Sequence, residues 1–149
     1  MSSEKPEKVA IDHDDYHAEH IGRAQTNQQF FLTTPFEPAI GDKEGCEYIA
    51  LYKFDREGNL LEAIIDSLGP RGSYDEDARK EKYLARLYEL GDVEYCRIEV
   101  KPFSIEREGV NFGLIPREPE DEEDIWAVEL LPGNYMAFFE PWDSGEYDT

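Results

Sequence analysis

Cysteine is nearly absent: Cys46 and Cys96 are the only two in 149 residues. A chain of this length buries about 68–70% of its unfolded surface and needs no cross-link to hold a core. Each cysteine falls in an apolar run with strand character. Two buried thiols in a reducing compartment are therefore expected, with a disulfide between them left open by the even count. Long apolar runs are missing as well. No stretch approaches the ~18 residues that a membrane span requires, and the first residues lack the apolar stretch of a secretory signal. These absences predict a cytoplasmic protein with no membrane association.

Basic residues are scarce: 15 Lys and Arg stand against 35 Asp and Glu, for a net charge of −20 at pH 7. Nucleic-acid binding depends on clustered Lys and Arg that release counterions from phosphate, so no direct nucleic-acid partner is expected. Acidity favours a basic protein partner, a cation, or solubility alone. Catalytic signatures are missing too. There is no phosphate-binding G-x-x-x-x-G-K-[ST], no G-x-S-x-G, no C-x-x-C, no H-E-x-x-H and no dinucleotide fingerprint. The thiols lie far in sequence from the histidines, so no nucleophile and base are marked and no cofactor is implied; a non-enzymatic binder is the expected class.

What is present is enough to fold. The chain is 40% hydrophobic and 13% aromatic, too apolar for a disordered segment. Residues 1–10 are polar and aperiodic, predicting a disordered N-terminus, and 11–149 carries no linker or repeat, predicting one domain. Residues 46–54 and 60–68 are strand-like runs about Asp55-Arg56-Glu57-Gly58-Asn59, the clearest hairpin of the chain. Cys46, Tyr48, Ala50, Tyr52 and Phe54 alternate with Ile49 and Leu51, so both faces are apolar and the strand belongs in the middle of a sheet. Residues 22–34 read as two further short strands, ended by Pro35 and Pro38. Ser73 and Glu76 form an S-x-x-E capping box that opens one helix to about Leu90. Its apolar stripe is Tyr83, Leu84, Leu87 and Leu90, and Gly91 supplies the stop. The opposite face, with Glu76, Arg79, Lys80, Glu81 and Arg86, is expected to be solvated. Runs near 93–100, 104–107 and 110–115 complete a count of seven to nine strands. The fold class is α+β: a mainly antiparallel β-sheet built of hairpins with one helix packed on it.

The last 32 residues carry eleven acids and no Lys, Arg or His, beside Ile125, Trp126, Leu130, Leu131, Tyr135, Phe138, Phe139 and Trp142. The runs 125–131 and 135–140 flank Pro132-Gly133-Asn134, which suits a tight turn. Pairing about that turn sends the acidic stretches 118–124 and 140–148 out of the same end of the hairpin. Glu120, Asp121, Glu122, Glu123, Asp124, Asp143 and Glu146, with Trp142 and Tyr147 as exposed aromatics, form the expected docking face for a basic protein partner. Their spacing does not match a calcium-binding loop.

All three histidines fall within eight residues: His13, His17 and His20, among Asp12, Asp14, Asp15 and Glu19. If helical, they sit at i, i+4 and i+7 on one face, where their imidazoles converge on a transition metal. A metal-dependent enzyme is the alternative that this spacing supports; a solvated patch of acids and imidazoles is the simpler one.

The stretch from Pro132 through Trp142 to the end, together with His20-Ile21-Gly22-Arg23 and Phe30-Phe31-Leu32-Thr33-Thr34-Pro35, resembles a family of uncharacterised bacterial proteins, some labelled formate hydrogenlyase regulatory protein-like. The similarity runs from about residue 19 to the end and implies a cytoplasmic regulator. An immunity protein that plugs a toxin's basic active site is the other binder compatible with the acidic face.

Overall fold

The computed structural model describes residues 4–25, 27–42, 44–70, 72 and 74–149. Twelve strands and one helix follow in order: β1 (Val9–Ile11), β2 (His20–Ala24), β3 (Gln29–Thr33), β4 (Phe36–Glu37), β5 (Cys46–Phe54), β6 (Leu60–Gly69), α1 (Glu76–Glu89), β7 (Val93–Tyr95), β8 (Ile98–Val100), β9 (Phe103–Arg107), β10 (Val110–Arg117), β11 (Ala127–Leu131) and β12 (Ala137–Phe138). The strand pairings are antiparallel, as the hairpin-length connections predict. The count exceeds nine because β1 and β4 are too short to carry a pattern and the run 93–100 divides into β7 and β8. Pro35 cannot donate to a ladder, so β3 and β4 become two pieces of one path along β5, with the Tyr48 amide bonded to the Pro35 carbonyl at 2.9 Å. Cys96 and Arg97 separate β7, which pairs with β2, from β8, which pairs with β1.

The largest sheet runs β6, β5, β3, β2, β7, with β4 extending β3. A second sheet runs β12, β11, β10, β9, and β1 with β8 forms a short third pair. The alternation read in β5 decides which layer each side chain enters. Tyr48, Ala50, Tyr52 and Phe54 join the main core with Phe31, Ile21, Ile11, Val100, Phe112, Leu114, Val128 and Phe138, drawn from all three sheets. Ile49 and Leu51 point the other way and, with Phe30 and Leu32, meet Tyr83, Leu87 and Leu90 under the helix. At ~1.5–3 kcal/mol for each large side chain removed from water, the inter-sheet layer dominates stability. The helix is a lighter cover, with none of its residues fully buried.

Two features hold strands remote in sequence together. Gln29 is 4% exposed, yet its amide is satisfied: Nε2 donates to the carbonyls of Asp55 and Glu99, and Oε1 accepts from the Glu99 amide at 2.7 Å. Gly22 lets β2 and β7 touch, since a Cβ there would lie 1.9 Å from the Glu94 carbonyl oxygen.

Several expectations need correction. Val9 and Ala10 are not part of a disordered start: with Ile11 they form β1, which pairs with β8 and is buried in the core. The helix N-cap is Asp75, whose side chain accepts from the Asp77 and Ala78 amides; Ser73 lies outside the described residues. Within the predicted apolar stripe, Leu84 is 53% exposed, and Tyr88, one turn further along the helix, is 86% exposed. Arg86 is not solvated surface, because it grips Asp66 of β6 through Nε (2.7 Å) and Nη2 (2.8 Å). Both cysteines are free thiols and half-buried rather than buried. Gly91, at φ +73°, ends the helix as read. Among the described residues, no helix is long and apolar enough to cross a membrane.

Candidate functional site

The C-terminal segment turns back beyond β12 rather than extending away. Register places both acidic departures at one end of the second sheet: Arg117 opposes Ala127 where the 118–126 connection leaves, and Phe138 opposes Val128 where the tail leaves. The tail then lies along β1, with the Ala10 amide donating to the Trp142 carbonyl at 2.9 Å and the Asp12 amide to the Gly145 carbonyl at 3.0 Å. Asp148 closes the excursion by bridging Ala137. Gly145 turns the tail there at φ +83°, the left-handed region that glycine favours, with the Asp12 carboxyl against its Cα. Arg97 holds the two segments together, donating to Asp12 Oδ1 at 3.1 Å and to the Asp143 carbonyl.

This fold-back brings together acids from opposite ends of the chain. Asp12, Asp14 and Glu146 line an open cleft of about 400 Å³ with Tyr16 and Tyr147. Asp15 and Asp143 are exposed, and Lys8 borders the pole on its β8 side. Tyr147 donates to Asp14 Oδ2 at 2.5 Å and accepts from the His17 amide at 3.2 Å. Burial, then the Asp14 carboxylate, push the Tyr147 hydroxyl up to about 12, so it remains a donor at neutral pH. Burial raises the Asp14 carboxyl. Its bonds from Tyr147 and from the amides of Tyr16 and Ala18 outweigh that and hold it below the ordinary range.

The predicted docking residues divide into three kinds. Glu120, Glu122 and Glu123 face solvent, as do Asp143 and Glu146. Asp121 and Asp124 order their own loop: Asp121 accepts from the Glu123 and Asp124 amides, and Asp124 accepts from Arg117 at 2.9 Å and from the Glu120 amide at 3.0 Å. Trp142 and Tyr147 are half-buried against the main core rather than free aromatics, and Trp142 Nε1 donates to the Glu4 carbonyl. An exposed aromatic at this pole that sequence reading missed is Tyr16, at 64%. Its signal, a Tyr in a run of acids, has no periodicity to mark it.

The three histidines do not share a helical face. Residues 12–19 form a loop, because Asp14 Oδ1 accepts from the amides of Tyr16 (2.9 Å) and Ala18 (3.0 Å), and a short acidic side chain bonding its own backbone competes with helix. His13 bonds the Glu19 carbonyl and stacks on Tyr95; His17 lies against Tyr16 and Tyr135; His20 bonds Tyr83 through Nδ1. Among the described residues, no group of three or more His, Cys, Asp or Glu is placed to hold a metal ion. The helical premise of the metal reading is thus overturned.

A second cleft, of about 360 Å³, opens between α1 and the end of the β2–β3 hairpin. His20, Tyr83 and Thr34 line it with Glu19, while Arg79 and Lys80 border it from the helix. Burial lowers the His20 imidazole and outweighs Glu19, whose Oε1 lies 3.9 Å from Nε2, so this contact is not an ion pair at neutral pH. Burial, then Glu19 and Tyr95, raise Tyr83, and Arg79 offsets part of the rise. Tyr83 therefore keeps its proton, and its hydroxyl is hydrogen-bonded to His20 Nδ1, the ring tautomer deciding which of the two donates. No protein-family model, curated protein or solved structure matches the chain, so the reading of both clefts rests on their own geometry.

Proposed function

We propose that this protein is a non-enzymatic binding module that docks a basic protein partner through the acidic pole where the C-terminal tail lies on β1. The observation that carries the reading is the pair of backbone bonds from Ala10 and Asp12 to the tail, which sets the carboxylates of 12–15 beside those of 143–146 around exposed Tyr16. A Lys- or Arg-rich surface gains steering from such a field and an aromatic anchor at its centre. The loop acids Glu120, Glu122 and Glu123 add to the same sign of charge. A regulatory role in a bacterial cytoplasm, implied by the resemblance that runs from about residue 19 to the end, fits docking of this kind, and a toxin's basic active site is one partner of the required chemistry.

The test separates the pole from bulk charge. An arginine-rich peptide is titrated against the wild type, a pole variant (Asp15→Asn, Asp143→Asn, Glu146→Gln) and a remote variant with the same change in net charge (Glu57→Gln, Glu81→Gln, Glu106→Gln). Docking predicts that the pole variant loses more affinity than the remote one, and that affinity falls as salt rises. Equal losses in the two variants, or binding indifferent to salt, would refute the reading.

A further inference from the structure

We propose that the cleft between α1 and the open end of the β2–β3 hairpin binds a small organic anion with an aromatic or apolar body, of the class of an aromatic carboxylate or an aromatic phosphate ester. This site shares only Tyr16 with the acidic pole, and its charged groups do not depend on the docking reading.

Charge is the first ground. In a chain of net −20, the helix presents Arg79 and Lys80 at consecutive positions on the lip of this cleft, against the single lining carboxylate of Glu19. Arg79 reaches Glu76 only at 3.6 Å, longer than a hydrogen bond, and Lys80 has no carboxylate within ion-pair distance among the described residues. The other arginines with close ion pairs behave differently: Arg86, Arg97 and Arg117 approach carboxylates at 2.7, 3.1 and 2.9 Å and stabilise the fold. The cations of the cleft keep donors to spare.

Shape and donor placement are the second ground. Tyr16 and Leu84 come from different elements, line the same cleft and stay largely exposed, leaving two apolar walls uncovered. The volume lies at the small end of ligand sites, ~300–1,000 Å³, which suits one ring and a head group. In the floor, His20 Nδ1 is occupied by the Tyr83 hydroxyl; in the tautomer in which that hydroxyl donates, Nε2 is an N–H donor whose nearest acidic neighbour, Glu19, is too far to accept. A ring between Tyr16 and Leu84 with its anionic group between the floor donor and the two rim cations satisfies each of these groups. An amine in the same place would meet Arg79 and Lys80 with the wrong sign.

The full-length chain is titrated with benzoate, phenyl phosphate, inorganic phosphate and benzylamine, following the His20 ring resonances by NMR and affinity by calorimetry. Saturable binding of benzoate or phenyl phosphate, with inorganic phosphate weaker for want of a ring, is the expected result. Arg79→Gln and Lys80→Gln should each weaken it about fivefold to tenfold, the loss of one charge-assisted contact, and Glu19→Gln should tighten it. The opposite signs of these surface substitutions distinguish a placed anion from non-specific adsorption. Benzylamine binding as tightly as benzoate, no saturable shift at His20, or affinities unmoved by the three substitutions would overturn the proposal.

Discussion

Replacing Arg86 tests how the helix that carries one wall of the anion cleft is held to the sheet. Arg86 and Asp66 form a two-point contact, Nε to Oδ2 at 2.7 Å and Nη2 to Oδ1 at 2.8 Å, with side chains only 20% and 14% exposed. Glu89 adds a surface contact at 2.9 Å. Arg86→Met keeps the aliphatic stem and removes the fork, leaving Asp66 half-buried without its cation. Hydrogen bonds to charged groups contribute about 1.5–3 kcal/mol net, and partial exposure discounts the pair, so the single substitution should cost about 2–3 kcal/mol. For a domain of this size that lowers Tm by about 4–12 °C. Asp66→Asn with Arg86→Met completes a double-mutant cycle whose coupling should be about 1–2 kcal/mol. The pH dependence has a fixed sign. Arg86 holds the Asp66 carboxyl below its ordinary 3.8, so its stabilisation is fully present above that value and is lost as pH falls through the folded one. Asp66→Asn should flatten that acid limb. Because the helix has no fully buried residue, its amides should also gain hydrogen-exchange rate before those of β5 do. A loss under about 0.5 kcal/mol, or a coupling of zero, would show that the apolar contacts of Tyr83, Leu87 and Leu90 seat the helix unaided.

Two further outcomes are expected. The Tyr52 hydroxyl is buried with no hydrogen-bond partner among the described residues, so Tyr52→Phe should be neutral or stabilising by up to about 1–2 kcal/mol in urea unfolding; a clear loss of stability would reveal a bond that the fold does not display. Burial lowers both His17 and His20 below 6.5, so the unfolded chain takes up protons first and stability declines as pH drops from about 6.5 toward the folded values; His17→Gln and His20→Gln should each flatten that slope, and slopes identical to wild type would refute the assignment.

The elements legible in the sequence are those whose pattern is local. The two-faced alternation of β5 gave its central place, the Asp55–Asn59 loop gave the β5–β6 hairpin, and Leu87 with Gly91 gave one face and the end of the helix. What escaped depended on partners remote in sequence. Val9-Ala10-Ile11 is too short to carry a period, and its burial comes from β8 and the tail, about ninety and more than a hundred residues away. Arg86 reads as helix surface until β6 brings Asp66 beneath it. The histidines failed for another reason: their i, i+4, i+7 spacing is a helical signal, but Asp14 bonding the amides of Tyr16 and Ala18 fixes a turn there, so side-chain chemistry overrode periodicity. Of the expected docking face, the solvent-facing acids were legible from charge alone. The burial of Trp142 and Tyr147 was not, because it requires knowing that the tail returns to β1.

Net charge alone would place any site of this protein on its acidic side, and the distribution of its arginines shows why that inference is incomplete. Arg97 and Arg117 lie where acids are densest and are engaged by Asp12 and Asp124, so they fasten the tail and the loop while the outermost carboxylates keep their field. Arg79 lies across the hairpin end with only a loose contact to Glu76, on a cleft lined by Lys80 and the one carboxylate of Glu19. Tyr16 lines both clefts, held on the Asp14 turn with one flank toward Asp12 and Glu146 and the other toward the helix. A basic partner and a small anion would therefore share one aromatic ring while depending on different charges. Substitutions at Asp15, Asp143 and Glu146 and those at Arg79 and Lys80 should act on separate equilibria, and only a change at Tyr16 should move both.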